Sequence, residues 1–280
     1  MNAEERKTLE ILSCKARKGA ILSTFNAKSG HPGGSLSAAD IYTYLYFKEM
    51  NVKPENHLWE DRDRFVLSKG HCCPSLYAIL ALKGYFDFSE LESLRHVGAM
   101  LQGHPDMKST PGIDMSSGSL GQGISAACGI ALSAKLDKKD FRVYTLLGDG
   151  ECEEGEVWEA AMFASHHKLD NLTLFVDCNG LQIDGTTDEV AGVEPLDQKF
   201  ESFGFHTIKI DGHNFDEIES ALNEARQTKG KPTAILAKTV KGKGVSFMEN
   251  QVGWHGKATN AEEYKLAMDE LDARLKELEG

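Results

Sequence analysis

No stretch of the 280 residues is apolar over anything near the ~20 positions a membrane helix needs, and the charged start Met1-Asn2-Ala3-Glu4-Glu5-Arg6 is not followed by a signal-peptide core. The expectation is a cytoplasmic protein without a membrane partner. Positive charge is also in deficit. The 31 Lys and Arg stand against 43 Asp and Glu, a formal net charge of −12, so no global basic field draws the chain onto nucleic acid. An anionic ligand must be held by local groups. The six cysteines, Cys14, Cys72, Cys73, Cys128, Cys152 and Cys178, contain no CxxC pair and no regular spacing, which points to a reducing intracellular compartment. Repeats of roughly 20–50 residues and low-complexity tracts are missing too.

What is present is an ordinary globular composition, 41% apolar and 26% charged, in a chain long enough for one large α/β domain or two small ones. Apolar positions at Leu9, Leu12, Ala16, Ala20 and Ile21 predict an opening amphipathic helix over about 3–25. Next comes Lys28-Ser29-Gly30-His31-Pro32-Gly33-Gly34, whose glycines and proline predict a loop around His31, before a helix over 38–49. Arg64 to Ser68 reads as a buried strand, with a helix over 74–82. The run Ser117-Gly118-Ser119-Leu120-Gly121-Gln122-Gly123 opens an Ala-rich helix but is no dinucleotide fingerprint, because its order is G-x-x-G-x-G. Strands at 205–210 and 233–239 flank a helix at 215–227. The alternation predicts an α/β fold with a doubly wound, mostly parallel sheet and helices on both faces. Tyr264, Met268, Leu271, Leu275 and Leu278 form the apolar stripe of a terminal amphipathic helix, 261–278.

The stretch from Gly148 to Gly185 organises the rest. The apolar run Val143–Leu147 breaks into Gly148-Asp149-Gly150, continues as an acidic, Ala-rich helical segment and returns as Leu172–Val176, a βαβ unit. Asp149 and Asn179 each follow a strand. In a parallel sheet both lie at the edge where open sheets bind ligands. A carboxylate and an amide oxygen suit a hard divalent cation, which completes its shell with phosphate oxygens and water. Gly150 lacks a Cβ and permits close approach of a phosphate, and the following helix N-terminus favours an anion. An EF-hand fails on its closing ligand, because that position falls on Ala160. An ordinary acidic βα turn stays open at this point.

Four histidines, His31, His71, His104 and His255, sit in glycine- or proline-bearing loops. One such histidine is commonplace, but several in loops after strands suggest binding groups.

These residues resemble the thiamine-diphosphate-binding half of transketolase. Ser29-Gly30-His31-Pro32-Gly33, Lys69-Gly70-His71, Gly103-His104-Pro105, the 117–123 run, Gly148-Asp149-Gly150 with Glu154-Gly155, Asn179 with Ile183-Asp184-Gly185, and His255-Gly256 occur in the family's order over nearly the whole chain. The resemblance implies one thiamine-diphosphate-binding domain over 1–280. It implies Mg2+ or Ca2+ on Asp149, the side chain of Asn179 and the backbone oxygen of Leu181. It places His71, Gly150 and His255 on the diphosphate, Gly118 and Leu120 by the pyrimidine through backbone groups, and Asn179 and Glu154 among the cofactor contacts. His31, His104 and His255 are the implied catalytic residues, the first two facing the reacting carbon with pKa values near neutrality. Glu154 and Glu159 are expected near a subunit interface.

Transketolase chains are more than twice this length, and their middle domain holds the glutamate that activates the cofactor and the arginines that bind sugar phosphates. The expectation is therefore an N-terminal subunit that works with a C-terminal, pyrimidine-binding partner, as α2β2. Together they would move a two-carbon ketol unit from a ketose phosphate to an aldose phosphate in the pentose phosphate pathway. The alternatives are a subunit of a 2-oxo-acid dehydrogenase, a deoxyxylulose-phosphate-synthase-like enzyme, or a non-catalytic cofactor-binding chain.

Overall fold

The computed structural model describes residues 1–280. In chain order the helices are α1 (Ala3–Ala27), α2 (Pro32–Tyr44), α3 (Cys73–Lys83), α4 (Gln122–Leu136), α5 (Gly155–His166), α6 (Thr187–Val190), α7 (Leu196–Ser202), α8 (Phe215–Gln227) and α9 (Ala261–Glu279). The strands are β1 (Arg64–Leu67), β2 (Val143–Gly148), β3 (Leu172–Cys178), β4 (Leu181–Gln182), β5 (Gly185–Thr186), β6 (His206–Asp211) and β7 (Thr233–Lys238). Five strands form one all-parallel sheet in the order β1-β2-β3-β7-β6, and β4 and β5 form a small antiparallel hairpin.

Alternate residues of each strand feed two cores. Tyr144, Leu146, Phe175 and Ile235 pack with α1, α2, α3 and α8. Val143, Leu147, Leu174, Val176 and Leu236 pack with α4, α5 and α7. This is the doubly wound arrangement expected from the alternation, with central strands buried on both faces. A third core joins α1 and α2 to α9: Leu271, Leu275 and Leu278 pack by Cys14, Ala20 and Ile21, and Tyr264 stacks on Phe25 with centroids 4.1 Å apart. The terminal stripe therefore buries against its own chain. Asn260 starts α9 through a capping box with Glu263.

Two local expectations need correction. His31 is not in an irregular loop; it is the N-cap of α2, which begins at Pro32 and ends at Tyr44, with a π turn over Leu45–Glu49. Proline fits the first helical position because its missing N–H has no partner there. The glycines serve close packing: a Cβ on Gly33 would lie 2.7 Å from Trp254 O, and one on Gly34 2.6 Å from Cys72 Sγ. The helix after Gly150 also starts later. A 3-10 turn, Gly150–Glu153, comes first, and Glu154 is the N-cap of α5, so the positive end of α5 does not point from Gly150 itself.

Candidate functional site

Four segments leave the C-terminal ends of β1, β2, β3 and β7 side by side: Lys69-Gly70-His71, Asp149-Gly150, Asn179 and Lys241. The register that pairs Gly148 with Asp177 and Asp177 with Ala237 brings the last three to one edge. They surround a cavity of about 300 Å3, lined among others by Lys69, His71, Leu120, Asp149, Gly150, Glu154, Asn179, Leu181, Gln182, Lys241 and His255. The sheet places ligand groups where open parallel sheets bind them.

The oxygen donors sit on one wall. Asp149 is buried, and its carboxylate accepts from Gly150 N at 2.8 Å and from Gly180 N at 2.5 Å. Burial, then the neighbouring Asp177 charge, raises its pKa to about 6 against those two hydrogen bonds. Asn179 Oδ1 accepts from Leu181 N at 3.1 Å, and its Nδ2 donates to Asp177 Oδ2 at 3.2 Å. Leu181 O accepts from Lys241 Nζ at 2.9 Å. No group of three or more His, Cys, Asp or Glu side chains could hold a metal ion, so any cation here must rely on one carboxylate and neutral oxygens. That set suits a hard cation sharing phosphate oxygens. Gln182 Oε1 lines the same wall, buried and without a partner, and a Cβ on Gly150 would reach it at 2.5 Å. A carboxylate penalised by burial and an orphaned acceptor both favour a cation or donor, so the residues fit a metal-bound diphosphate.

The histidines form a cluster at the same cavity. His31 lies 5.1 Å from His71, 6.2 Å from His104 and 5.5 Å from His255, ring centroid to centroid. His71 stacks on His255 at 5.1 Å. Gly118, at φ +155, lets His104 close in, since a Cβ there would sit 3.3 Å from its ring, and Gly121 receives Glu154 in the same way. Glu159 is exposed on α5 and does not line the cavity. Of the expected site residues, His71, Leu120, Gly150, Glu154, Asn179, Asp149, Leu181 and His255 line the cavity. His31, His104 and Gly118 adjoin it through the ring contacts.

The imidazoles are not poised near neutrality. Burial and then the charge of Arg95 lower His31 to about 4, and burial and then Lys241 lower His255 to about 3. Burial, with Lys69 next, holds His71 well below its ordinary value, and burial with Arg95 lowers His104. All four are neutral at pH 7. Lys241 donates to His255 Nδ1 at 3.2 Å, and an ammonium can only donate, so neutral His255 carries its proton on Nε2.

Sequence reasoning missed the layer beneath. Lys69 is buried and paired with Asp177, whose carboxylate also accepts from Ser37 Oγ at 2.6 Å and from Thr239 Oγ1. Burial opposes the Lys69 ammonium, yet Asp177 more than offsets it and raises the pKa; the same pairing lowers Asp177. Arg95 was missed as well. It donates to Ser29 Oγ at 2.9 Å beside His31 and His104. A charged residue inside an apolar strand, as in Phe175-Val176-Asp177, was the available signal for the buried pair.

Comparison with known proteins adds independent findings. The family described as "Transketolase, thiamine diphosphate binding domain" matches residues 14–275. The 6-deoxy-6-sulfo-D-fructose transketolase subunit SqwG of a Clostridium species is 51% identical over 243 residues, 87% of this chain and 88% of that one. An apulose-4-phosphate transketolase subunit of Phocaeicola vulgatus is 41% identical over 273 residues, 98% and 97% of the two chains. The solved transketolase of Campylobacter jejuni superposes with a TM-score of 0.87 at 33% identity, covering 99% of this chain but 46% of its own. The chain thus spans most of the length of two relatives named as subunits and less than half of that solved chain.

Proposed function

The chain belongs to the transketolase thiamine-diphosphate-binding family, and from that premise we propose that it is the diphosphate-binding subunit of a two-chain transketolase. Its activity would be transfer of a two-carbon ketol unit from a ketose phosphate to an aldose phosphate. The observation that carries this reading is the meeting, at one sheet edge, of Asp149, Asn179 and the Leu181 carbonyl with the cluster His31, His71, His104 and His255. A silent scaffold has no physical need for four packed, desolvated imidazoles.

In this reading Asp149, Asn179 Oδ1 and Leu181 O hold Mg2+ or Ca2+, and Gly150, His71 and His255 hold the diphosphate, with Lys241 beside them. Thiamine diphosphate, when bound, supplies the electron sink that ketol transfer requires. The chain's own residues bind, orient and move protons. His255 offers Nε2–H to an anion because Lys241 occupies Nδ1. His31 and His104, neutral and half-buried beside Arg95, accept a proton from a substrate hydroxyl, and the acquired charge is opposed by Arg95, which returns the proton readily. Gly118 and Leu120 present backbone groups to the pyrimidine end, and Glu154 and Glu159 lie toward a contact between protomers.

A partner chain carrying the pyrimidine-binding half would complete the cleft, in an α2β2 assembly. The two relatives named as subunits support that division. Their names differ in the sugar, which is consistent with the partner reading the far end of the substrate. The test is ketol transfer from xylulose 5-phosphate to ribose 5-phosphate, by this chain alone and with the protein that co-purifies with it from native cells. Activity only in the pair is expected; robust turnover by the single chain rules out the split arrangement. Pyruvate offered as the donor separates this activity from that of an oxo-acid dehydrogenase.

A further inference from the structure

His213 lies outside the cavity, in the turn between β6 and α8. Its Nδ1 is 2.7 Å from Asp40 Oδ2, and its Nε2 accepts from Val240 N at 2.9 Å. The two bonds fix the tautomer: Nδ1–H donates to the carboxylate and Nε2 keeps its lone pair for the amide. Asp40 is itself held. It is buried on α2 and paired with Arg17, which also donates to Leu36 O at 3.2 Å and Ser13 Oγ at 3.2 Å.

The element so gripped is the one that carries Lys241. Val240 directly precedes it, and Gly242 N donates to Gly33 O at 2.9 Å, near the start of α2. The Lys241 side chain then reaches Leu181 O and His255 Nδ1. His31 caps the same helix that bears Asp40. One imidazole that does not itself line the cavity therefore ties the loop after β7 to the helix that presents His31.

We infer that His213 is a positioning residue for cofactor binding: the Asp40–His213–Val240 chain fixes the backbone from which Lys241 enters the site. The inference rests on the cofactor reading given above. It also explains why so polar an assembly is buried in the loop region. A main-chain amide at a strand end would otherwise need a sheet neighbour or water.

Two substitutions separate the bonds. Asn places its amide where the imidazole Nδ1 stands, so His213→Asn keeps a donor to Asp40 and loses the acceptor for Val240. Gln reaches the Nε2 position, so His213→Gln keeps an acceptor for Val240. Titration of the full chain with its partner chain by thiamine diphosphate at fixed Mg2+, followed by calorimetry, is expected to show affinity weakened about tenfold in His213→Asn, the scale of an outer-shell loss, and restored toward the original value in His213→Gln. Equal affinities in both variants and the unmodified complex overturn the inference. So does equal weakening in both that tracks a fall in Tm, because that pattern is merely structural. Absence of binding by the unmodified complex overturns the cofactor reading itself, and this inference with it. A measurement without variants serves if His213→Asn does not fold: hydrogen exchange on the unmodified chain should find the Val240 amide as protected as the β7 amides, and fast exchange there overturns the clamp.

Discussion

Asp177 grips Asn179: the carboxylate Oδ2 accepts from Asn179 Nδ2 at 3.2 Å, so the amide is oriented with its oxygen toward Leu181 N and the cavity wall. The same carboxylate is paired with Lys69 across the sheet edge. Asn179, a proposed metal ligand, and a buried ion pair thus share one acceptor, and a change at either end is felt at the site.

The pair gives the first prediction. Lys69→Met leaves Asp177 ionised and buried without its counter-charge, which costs roughly 3–5 kcal/mol in comparable cases. Urea unfolding of the free chain should show a loss of that order. An unchanged midpoint would mean that Ser37 and Thr239 alone satisfy Asp177.

Asp149→Ala removes the one carboxylate of the oxygen wall. Metal-dependent binding of thiamine diphosphate in the assembled complex should fall by at least roughly 100-fold, since outer-shell losses alone cost about 10–100-fold. Calorimetry with and without Mg2+ checks it, and equal affinity in the variant would remove Asp149 from the metal assignment.

His31→Ala tests proton traffic separately from binding. Turnover by the assembled complex should fall by about 10²–10⁴, the range for loss of a general acid or base, with cofactor affinity within about twofold. A variant that loses cofactor affinity and keeps turnover at saturation would place His31 among the binding groups instead.

The imidazoles also set a pH dependence of stability. His31 at about 4 and His255 at about 3 lie below the ordinary 6.5, so between pH 6.5 and about 4 the unfolded chain binds more protons than the folded one. Stability is full above pH 6.5 and is lost as pH falls through that window. Asp149, raised to about 6, works the opposite way, favouring the folded chain as it protonates. Urea midpoints at pH 7 and pH 5 should therefore fall on acidification, and fall less in His31→Gln. A slope identical in that variant would refute the His31 assignment.

The βαβ unit was legible because its signals are local: period-two and helical apolar patterns, broken by glycine, place Asp149 and Asn179 after parallel strands without reference to distant chain. His104 and His255 were legible as loop residues for the same reason, whereas His31 caps α2 and His71 lies in a 3-10 turn. The helical start at Pro32 was not, since proline and two glycines read locally as breakers. Their cause is tertiary, the approach of Trp254 O and Cys72 Sγ. Lys69 and Asp177 lie 108 positions apart, and nothing in either neighbourhood names the other. The lowered imidazole pKa values likewise depend first on burial and then on cations such as Arg95 and Lys241, all of which only folding supplies.

All thirteen residues of α2 are buried, and along that one rod lie the His31 cap, Gly33 against the loop after β7, Gly34 against Cys72, the Ser37 contact to Asp177 and the Asp40 grip on His213. A helix with no outward side has nowhere to accumulate harmless change. A larger side chain anywhere along this rod therefore meets packed atoms, so that damage to the site and damage to the core arrive together.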